Sequence, residues 1–268
     1  MIGKTAAKKV CDELNSYFHP GDYDDPAQNG LLVDFAQEIE KVYTATFAGS
    51  EVLGQLRARG ACDCLLFTHH PRSQREEGRE PRSFSEEELA YMKENRISHF
   101  SLHLPLDQTG PYSPGVSLAR AIGATPYNVF YEENGAVMGL FCTGPWRTVH
   151  DIRQTAERTL GHPCSLYQYG DAALQDGKIA IMAGGAGETD IFPLLHREGI
   201  RLFFTGVTSP SVDWFTSSHA VARSQEISLM GGTHYSTEKF APMAMCRYFE
   251  ERGLPAEFIE ETPVFSEL

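Results

Sequence analysis

The sequence is short of positive charge, has no long apolar run and spreads its cysteines thinly. Lysine and arginine number 23 against 36 aspartates and glutamates, a formal net charge of −13. That excess of acid argues against a general nucleic-acid binder, which needs a basic face, and against adhesion to an anionic membrane. No stretch of about 18 apolar residues exists, so no transmembrane helix is expected. The first nine residues carry lysines but no apolar core of a secretory leader, and a cytoplasmic location is expected. The six cysteines (Cys11, Cys62, Cys64, Cys142, Cys164 and Cys246) include one C-x-C pair with no second close pair downstream. A zinc ribbon or a disulfide framework is not expected; buried free thiols are. There is no G-x-S-x-G and no cysteine beside a histidine, so no side-chain nucleophile competes with an activated water. G-x-G-x-x-G is also missing, which removes a Rossmann cofactor site. Low-complexity tracts and short repeats are absent too.

What remains is ordinary globular composition, with 41% apolar and 22% charged residues in 268. That length fits one large α/β domain or two lobes of roughly 130 residues each. Val10, Leu14 and Phe18 recur at spacing four and predict a helix over residues 5–18. Strands are expected at 30–33, 41–47, 62–68, 97–104, 164–169, 178–183, 202–205, 227–230 and 257–260. Helices are expected at 50–59, from a Ser85/Glu88 capping box to about residue 96, at 114–122, 148–160, 211–223 and 236–251. One more helix follows Gly184-Gly185-Ala186-Gly187 and ends near Gly199. The alternation implies crossover units and largely parallel pairing. Strands at 127–131 and 136–142 around Asn134-Gly135 add an antiparallel hairpin.

Three of these strand ends carry metal-ligand chemistry, at the edge where α/β sheets build their sites. Thr68-His69-His70-Pro71 closes the apolar run 62–68. Adjacent strand residues point to opposite faces, so two neighbouring imidazoles meet only where the strand has ended and the chain turns. Pro71 biases His70 toward extended backbone. The pair either serves two neighbouring ions, one imidazole each, or hydrogen-bonds at the surface. In His103-Leu104-Pro105-Leu106-Asp107, Asp107 stands in the loop past a strand as a candidate ligand. His103 is either a ligand, a group that orients one, or a core histidine satisfied by backbone. Thr233-His234-Tyr235-Ser236-Thr237-Glu238 opens a helix, and its i,i+4 spacing sets His234 beside Glu238. That carboxylate is either a ligand or a cap for free N–H groups.

Together His69, His70, Asp107, His234 and Glu238 offer three imidazoles and two carboxylates. Five donors are too many for one tetrahedral zinc and too few for a calcium cage. They suit two metals about 3.5 Å apart with a bridging carboxylate or hydroxide. Zinc, iron, manganese and nickel all accept such donors. His103, Tyr235 and His219 are candidates to move protons, with His103 best placed.

The chain resembles the Nif-three-like proteins, often labelled type 2 GTP cyclohydrolase I. The matching stretches are Asn29-Gly30-Leu31-Leu32-Val33, Thr68-His69-His70-Pro71, His103-Leu104-Pro105-Leu106-Asp107, Gly184-Gly185-Ala186-Gly187, Thr205-Gly206 and Gly232-Thr233-His234-Tyr235-Ser236-Thr237-Glu238. They run in the family's order over nearly the whole chain. The resemblance implies two similar α/β lobes with mixed, largely parallel sheets flanked by helices. The first spans residues 1–125, with 230–268 packing back onto it, and the second 126–229. It also implies a homohexamer with dinuclear sites facing an internal cavity. Two divalent metal ions per subunit would sit on His69, His70, Asp107, His234 and Glu238, with Glu238 bridging. A nucleotide or related small anion is the implied substrate.

This chain departs from that pattern in two places. Val207 follows Thr205-Gly206 where the family often has an acid, and Ser211 stands near a histidine position. After Pro71 the chain is arginine-rich rather than apolar, with Arg72, Arg75, Arg79 and Arg82 among three glutamates. That segment is either a phosphate clamp or a solvated loop. Gly184 to Gly187 is either a phosphate cradle or a tight turn for close packing. Two classes of function follow: a hydrolase using a metal-activated water, or a non-catalytic metal-binding scaffold or regulatory partner.

Overall fold

Side chains alternating along each strand decide which helices cover which face. A computed structural model describes residues 5–75 and 79–268. In chain order it contains β1 (Thr5–Ala6), α1 (Ala7–Phe18), β2 (Gly30–Val33), β3 (Glu38–Ile39), β4 (Lys41–Phe47), α2 (Ser50–Ala58), β5 (Cys64–His70), α3 (Glu86–Glu94), β6 (Ile97–Ser101), α4 (Leu104–Asp107) and α5 (Pro114–Ile122). Then come β7 (Thr125–Glu133), β8 (Ala136–Thr143), α6 (Val149–Leu160), β9 (Ser165–Tyr167), β10 (Lys178–Ile181), α7 (Ile191–Arg197), β11 (Leu202–Thr205), α8 (Asp213–Ser224), β12 (Ser228–Gly231), α9 (His234–Glu238), α10 (Phe240–Glu250) and β13 (Ala256–Phe258). The chain divides into two units. One holds the residues up to Gln108 with 134–136 and 241–262; the other holds 109–133, 137–240 and 263–268.

The first unit is built on a sheet of order β13-β4-β5-β6-β2, parallel except for β2 against β6. Tyr43, Ala45, Cys64, Leu66 and Ile97 turn one way onto Val52, Leu53 and Leu56 of α2 and Met92 of α3. Phe67 belongs to the alternate set and meets Phe249 of α10, with ring centroids 5.7 Å apart. Side chains of this size contribute about 1.5–3 kcal/mol each when fully buried. α1 begins at Ala7 because Thr5 and Ala6 pair with Ile39 and Glu38 as strand. Ser85 and Glu88 form the expected reciprocal cap of α3.

The second unit carries the sheet β7-β8-β10-β11-β12-β9. β10, β11 and β12 run parallel, while β8 and β9 flank them antiparallel. Leu202, Phe204, Ile179 and Met230 face a core shared with α5 and α6. Phe203, Ala180 and Leu229 face the opposite core with Phe192 of α7 and Phe215 of α8. Asn134 and Gly135 make the hairpin turn with φ of 47° and 91°, the left-handed values that this residue pair tolerates.

Several local expectations are corrected. β5 does not stop at Thr68: β4 extends to Phe47, which pairs with His70, so both histidines lie within the ladder. Asp107 is not in a loop but ends the single turn α4, opened by Pro105 in its first turn. The glycine run is followed by α7 only from Ile191. The helix expected at 236–251 is broken at Lys239, because Pro242 has no N–H for the Glu238 carbonyl and its ring crowds that oxygen.

Of the arginine-rich segment, Glu76, Glu77 and Gly78 lie outside the described residues, as do Met1 to Lys4 of the lysine-bearing start. Arg75 pairs with Glu80 at 3.2 Å and Arg82 with Glu88 at 2.8 Å, the pattern of an ion-paired surface loop. Among the described residues no helix is long and apolar enough to cross a membrane. All six cysteines are free, and only Cys62 is exposed. Burial pushes the thiols of Cys64, Cys142 and Cys164 up to about 12 and that of Cys11 up to about 11.

Candidate functional site

In the first unit, the carboxyl ends of β5 and β6 gather three imidazoles. His69 is fully buried. Its Nδ1 lies 2.9 Å from the Leu102 carbonyl, which can only accept, so that nitrogen carries the proton. The ring then turns Nε2 toward Asp107 Oδ1, 3.5 Å away. Two electron-rich atoms so placed favour a proton or a cation between them. A backbone carbonyl on the far nitrogen is also the usual way a metal-binding imidazole is oriented. His70 stacks on Phe47 with centroids 4.4 Å apart, and its ring is 4.4 Å from that of His69. Both histidines offer ring nitrogens within 4.8 Å of one another.

His103 completes this group, 5.4 Å from the His69 ring and 5.1 Å from that of His70. Its Nδ1 is 3.0 Å from Asp25 Oδ1 and its backbone N–H donates to Asn29 Oδ1 at 2.7 Å. Asp25 also accepts from the N–H groups of Ala27 and Leu104 and from the Asn29 amide, each at 2.8 Å. Burial pushes the Asp25 carboxyl up, but the bonds from His103, Asn29 and Ala27 outweigh it. They hold the group well below the usual carboxylate range. An ionised Asp25 fixes the proton on His103 Nδ1 and so sets the tautomer of that ring. Asp25 was not singled out from the sequence. Its only signal there is the spacing of four before Asn29.

In the second unit, His234 opens α9 at the end of β12. Its Nε2 lies 3.1 Å from Glu238 Oε1, so the i,i+4 spacing does bring the two side chains together. The cap is not Glu238 but Thr233, whose hydroxyl accepts from the Ser236 N–H. Thr233 takes φ 62° and ψ 150°, a conformation costly for a β-branched residue. Buried Glu267 holds the turn: its carboxylate accepts the His234 N–H at 2.8 Å, and its carbonyl accepts from Thr208 and Ser209. Burial pushes the Glu267 carboxyl up. Nothing in the local sequence marks this residue, which lies 33 positions from its partner.

The glycine motifs are explained by close approach rather than by anion binding. A methyl at Gly184, where φ is 80°, would lie 2.0 Å from Glu238 Oε1 and 3.2 Å from His234 Nε2. The Gly184 N–H is spent on Thr237 Oγ1 at 3.0 Å, and its carbonyl accepts from Gly206. A methyl at Gly206 would meet the Gly184 carbonyl at 2.5 Å and His234 Cα at 2.8 Å. Val207 is buried, and Ser211 bonds Ser209 through the two hydroxyls. His219 has both ring nitrogens engaged, by the Tyr169 hydroxyl and the Thr208 carbonyl, and Tyr235 is fully buried. Neither is placed to carry protons to a substrate.

The family model described as Duf34/NIF3 (NGG1p interacting factor 3) matches residues 5–264. Similar curated proteins are called GTP cyclohydrolase 1 type 2 homolog. The one from Archaeoglobus fulgidus is 26% identical over 92% of this chain and 94% of its own length. The one from Yersinia pestis is 25% identical over the same shares. Among solved structures, protein ybgI, described as of unknown function, aligns with TM-score 0.78 and 22% identity over 97% of this chain and 100% of its own. Reduced HcgD from Methanocaldococcus jannaschii aligns with TM-score 0.74 and 18% identity over 97% and 100%. The matched model spans residues of both units, including all the stretches that carry the resemblance, and the chain belongs to the DUF34/NIF3 family.

Proposed function

We propose that this chain is a hydrolase of nucleotides or related small anions that depends on two divalent metal ions. His69, His70, Asp107, His234 and Glu238 are the proposed ligands. The observation that carries the reading is His69, with one nitrogen fixed on a backbone carbonyl and the other turned to a carboxylate. The donor set fits: His69, His70 and Glu238 are of the type that holds a metal ion. The relatives' name, GTP cyclohydrolase 1 type 2 homolog, supports a nucleotide as substrate. Bound divalent ions would supply a water of lowered pKa and a Lewis acid toward the substrate. Glu238 would bring negative charge that offsets the repulsion between two bound cations. Asp25 holds the His103 ring in one tautomer, so His103 Nε2 is the group that gives or takes the proton. The proposed assembly is a cytoplasmic homohexamer.

The test is metal analysis of the purified protein and of Glu238→Gln, followed by a nucleotide screen with mass-spectrometric product detection. Two ions per subunit are expected, falling toward one in the variant, with activity down by orders of magnitude and the fold intact. Full occupancy with unchanged activity in Glu238→Gln refutes the bridging role. Two bound ions with no nucleotide converted would favour a metal-binding scaffold.

A further inference from the structure

The chain has two tryptophans, and they are treated in opposite ways. Trp146 is buried and donates its indole N–H to Thr155 Oγ1 at 3.2 Å. Trp214, in the first turn of α8, is 42% exposed. The buried face of that helix is made by Phe215, Ser218, His219 and Ala222 instead. The exposed indole lies along the glycine run next to His234. A methyl at Gly185 would stand 3.2 Å from Trp214 Cη2 and 3.7 Å from His234 Cε1. A methyl at Gly187 would stand 3.1 Å from Trp214 Cζ3. Unlike Gly184, Gly185 does not have a positive φ, so its backbone does not require glycine. What its missing side chain does is keep open the space between the indole and the imidazole.

We propose that Trp214 is the stacking platform for a planar heteroaromatic ring of the substrate, held against the indole beside His234 and Glu238. The assignment rests on the reading of His234 and Glu238 as metal ligands and adds what part of the substrate this unit recognises. An aromatic face binds any nucleobase through its π surface without reading its edge. The neighbouring charged groups, Glu238 and Glu267, are acidic. A phosphate would therefore find no attraction here from the side chains themselves, whereas an uncharged ring finds a ready apolar face.

The experiment uses the full chain carrying Trp146→Phe, so that Trp214 is its one tryptophan and is excited selectively at wavelengths tyrosine does not absorb. Guanosine, GTP and ribose 5-phosphate are titrated into metal-loaded and chelator-treated protein, and bound metal is measured in each. Saturable quenching by guanosine and GTP, but not by ribose 5-phosphate, is the expected result. Calorimetry should show Trp214→Ala weakening guanosine binding about tenfold, with Trp214→Phe retaining most of it and neither variant losing metal. No quenching by guanosine in either form overturns the proposal, as does equal quenching by ribose 5-phosphate or unchanged guanosine affinity in Trp214→Ala. Protein that takes up no metal yet shows quenching by guanosine would defeat the metal reading alone and leave the platform standing.

Discussion

Buried polar side chains in this protein are neutral or charged according to what faces them, and His99 gives the clearest consequence. The Thr68 hydroxyl donates to the His70 carbonyl, so it accepts from His99 Nε2 at 2.8 Å. Burial pushes the His99 imidazole down to about 3 from its ordinary 6.5. Below pH 6.5 the unfolded chain binds a proton that the folded chain refuses. This contribution to stability is complete above pH 6.5 and is lost as pH falls toward 3, at up to about 1.4 kcal/mol per pH unit. Urea unfolding at pH 7 and pH 5 should show it, and His99→Gln, which keeps a donor for Thr68, should flatten the difference. Equal pH dependence in both proteins would contradict this assignment. The thiols give a second check. At pH 8, iodoacetamide should label Cys62 in the native protein and leave Cys11, Cys64, Cys142 and Cys164 until urea is added. Rapid native labelling of Cys64 would mean that β5 opens far more readily than its burial implies. His69, His70, Asp107, His234 and Glu238 were legible as ligand types in short motifs. Asp25 and Glu267 were not, because each acts on a histidine 78 or 33 residues away through a contact that only the fold creates.

Secondary structure was legible where a local signal decides it and misread where a neighbour does. The Ser85/Glu88 and Thr148 caps and the Asn134-Gly135 turn are local and stand where the sequence places them. The end of β5 is set by the length of β4, and the break after α9 by a proline four residues on. The first does not follow from the strand's own pattern; the second has a local signal, Pro242, inside the stretch expected to be one helix. Glycines divide along the same line, and two substitutions should have opposite signs. Gly54 lies inside α2 with nothing within 4 Å of an added methyl. Gly54→Ala should stabilise by about 0.5–1 kcal/mol through helix propensity. Gly184→Ala imposes a side chain at φ 80° and drives a methyl into the Glu238 carboxylate. It should destabilise by about 1–3 kcal/mol and reduce metal uptake as well. Thermal melts with metal analysis of the two variants decide it. A Gly184→Ala protein with native melting temperature and metal content would remove the close-approach explanation of the motif.

At the scale of the molecule, both units repeat one device: parallel strands whose carboxyl ends deliver histidines and carboxylates. The α/β class was legible from alternation alone. The sequence divides at residue 125 with 230–268 returning to the first lobe; in the structure the first unit holds the residues up to Gln108 with 134–136 and 241–262. The proposed ligands span residues 69 to 238, so no short segment could hold the ions in an unfolded chain. Metal should then bind the folded form almost exclusively, and binding should appear as stability. At free metal one hundred times its dissociation constant, each site adds about 2.7 kcal/mol. Treatment with a chelator should lower the melting temperature, and returning the metal should restore it. Glu238→Gln should show a smaller metal-dependent shift than the native protein, with the same melting temperature once both are stripped. Sedimentation run alongside should give six times the 29.8 kDa subunit if the proposed assembly holds. A chelator that removes all metal without moving the melting temperature would mean that the ions add nothing to the fold, and the five side chains would lose their claim to be a joint binding site.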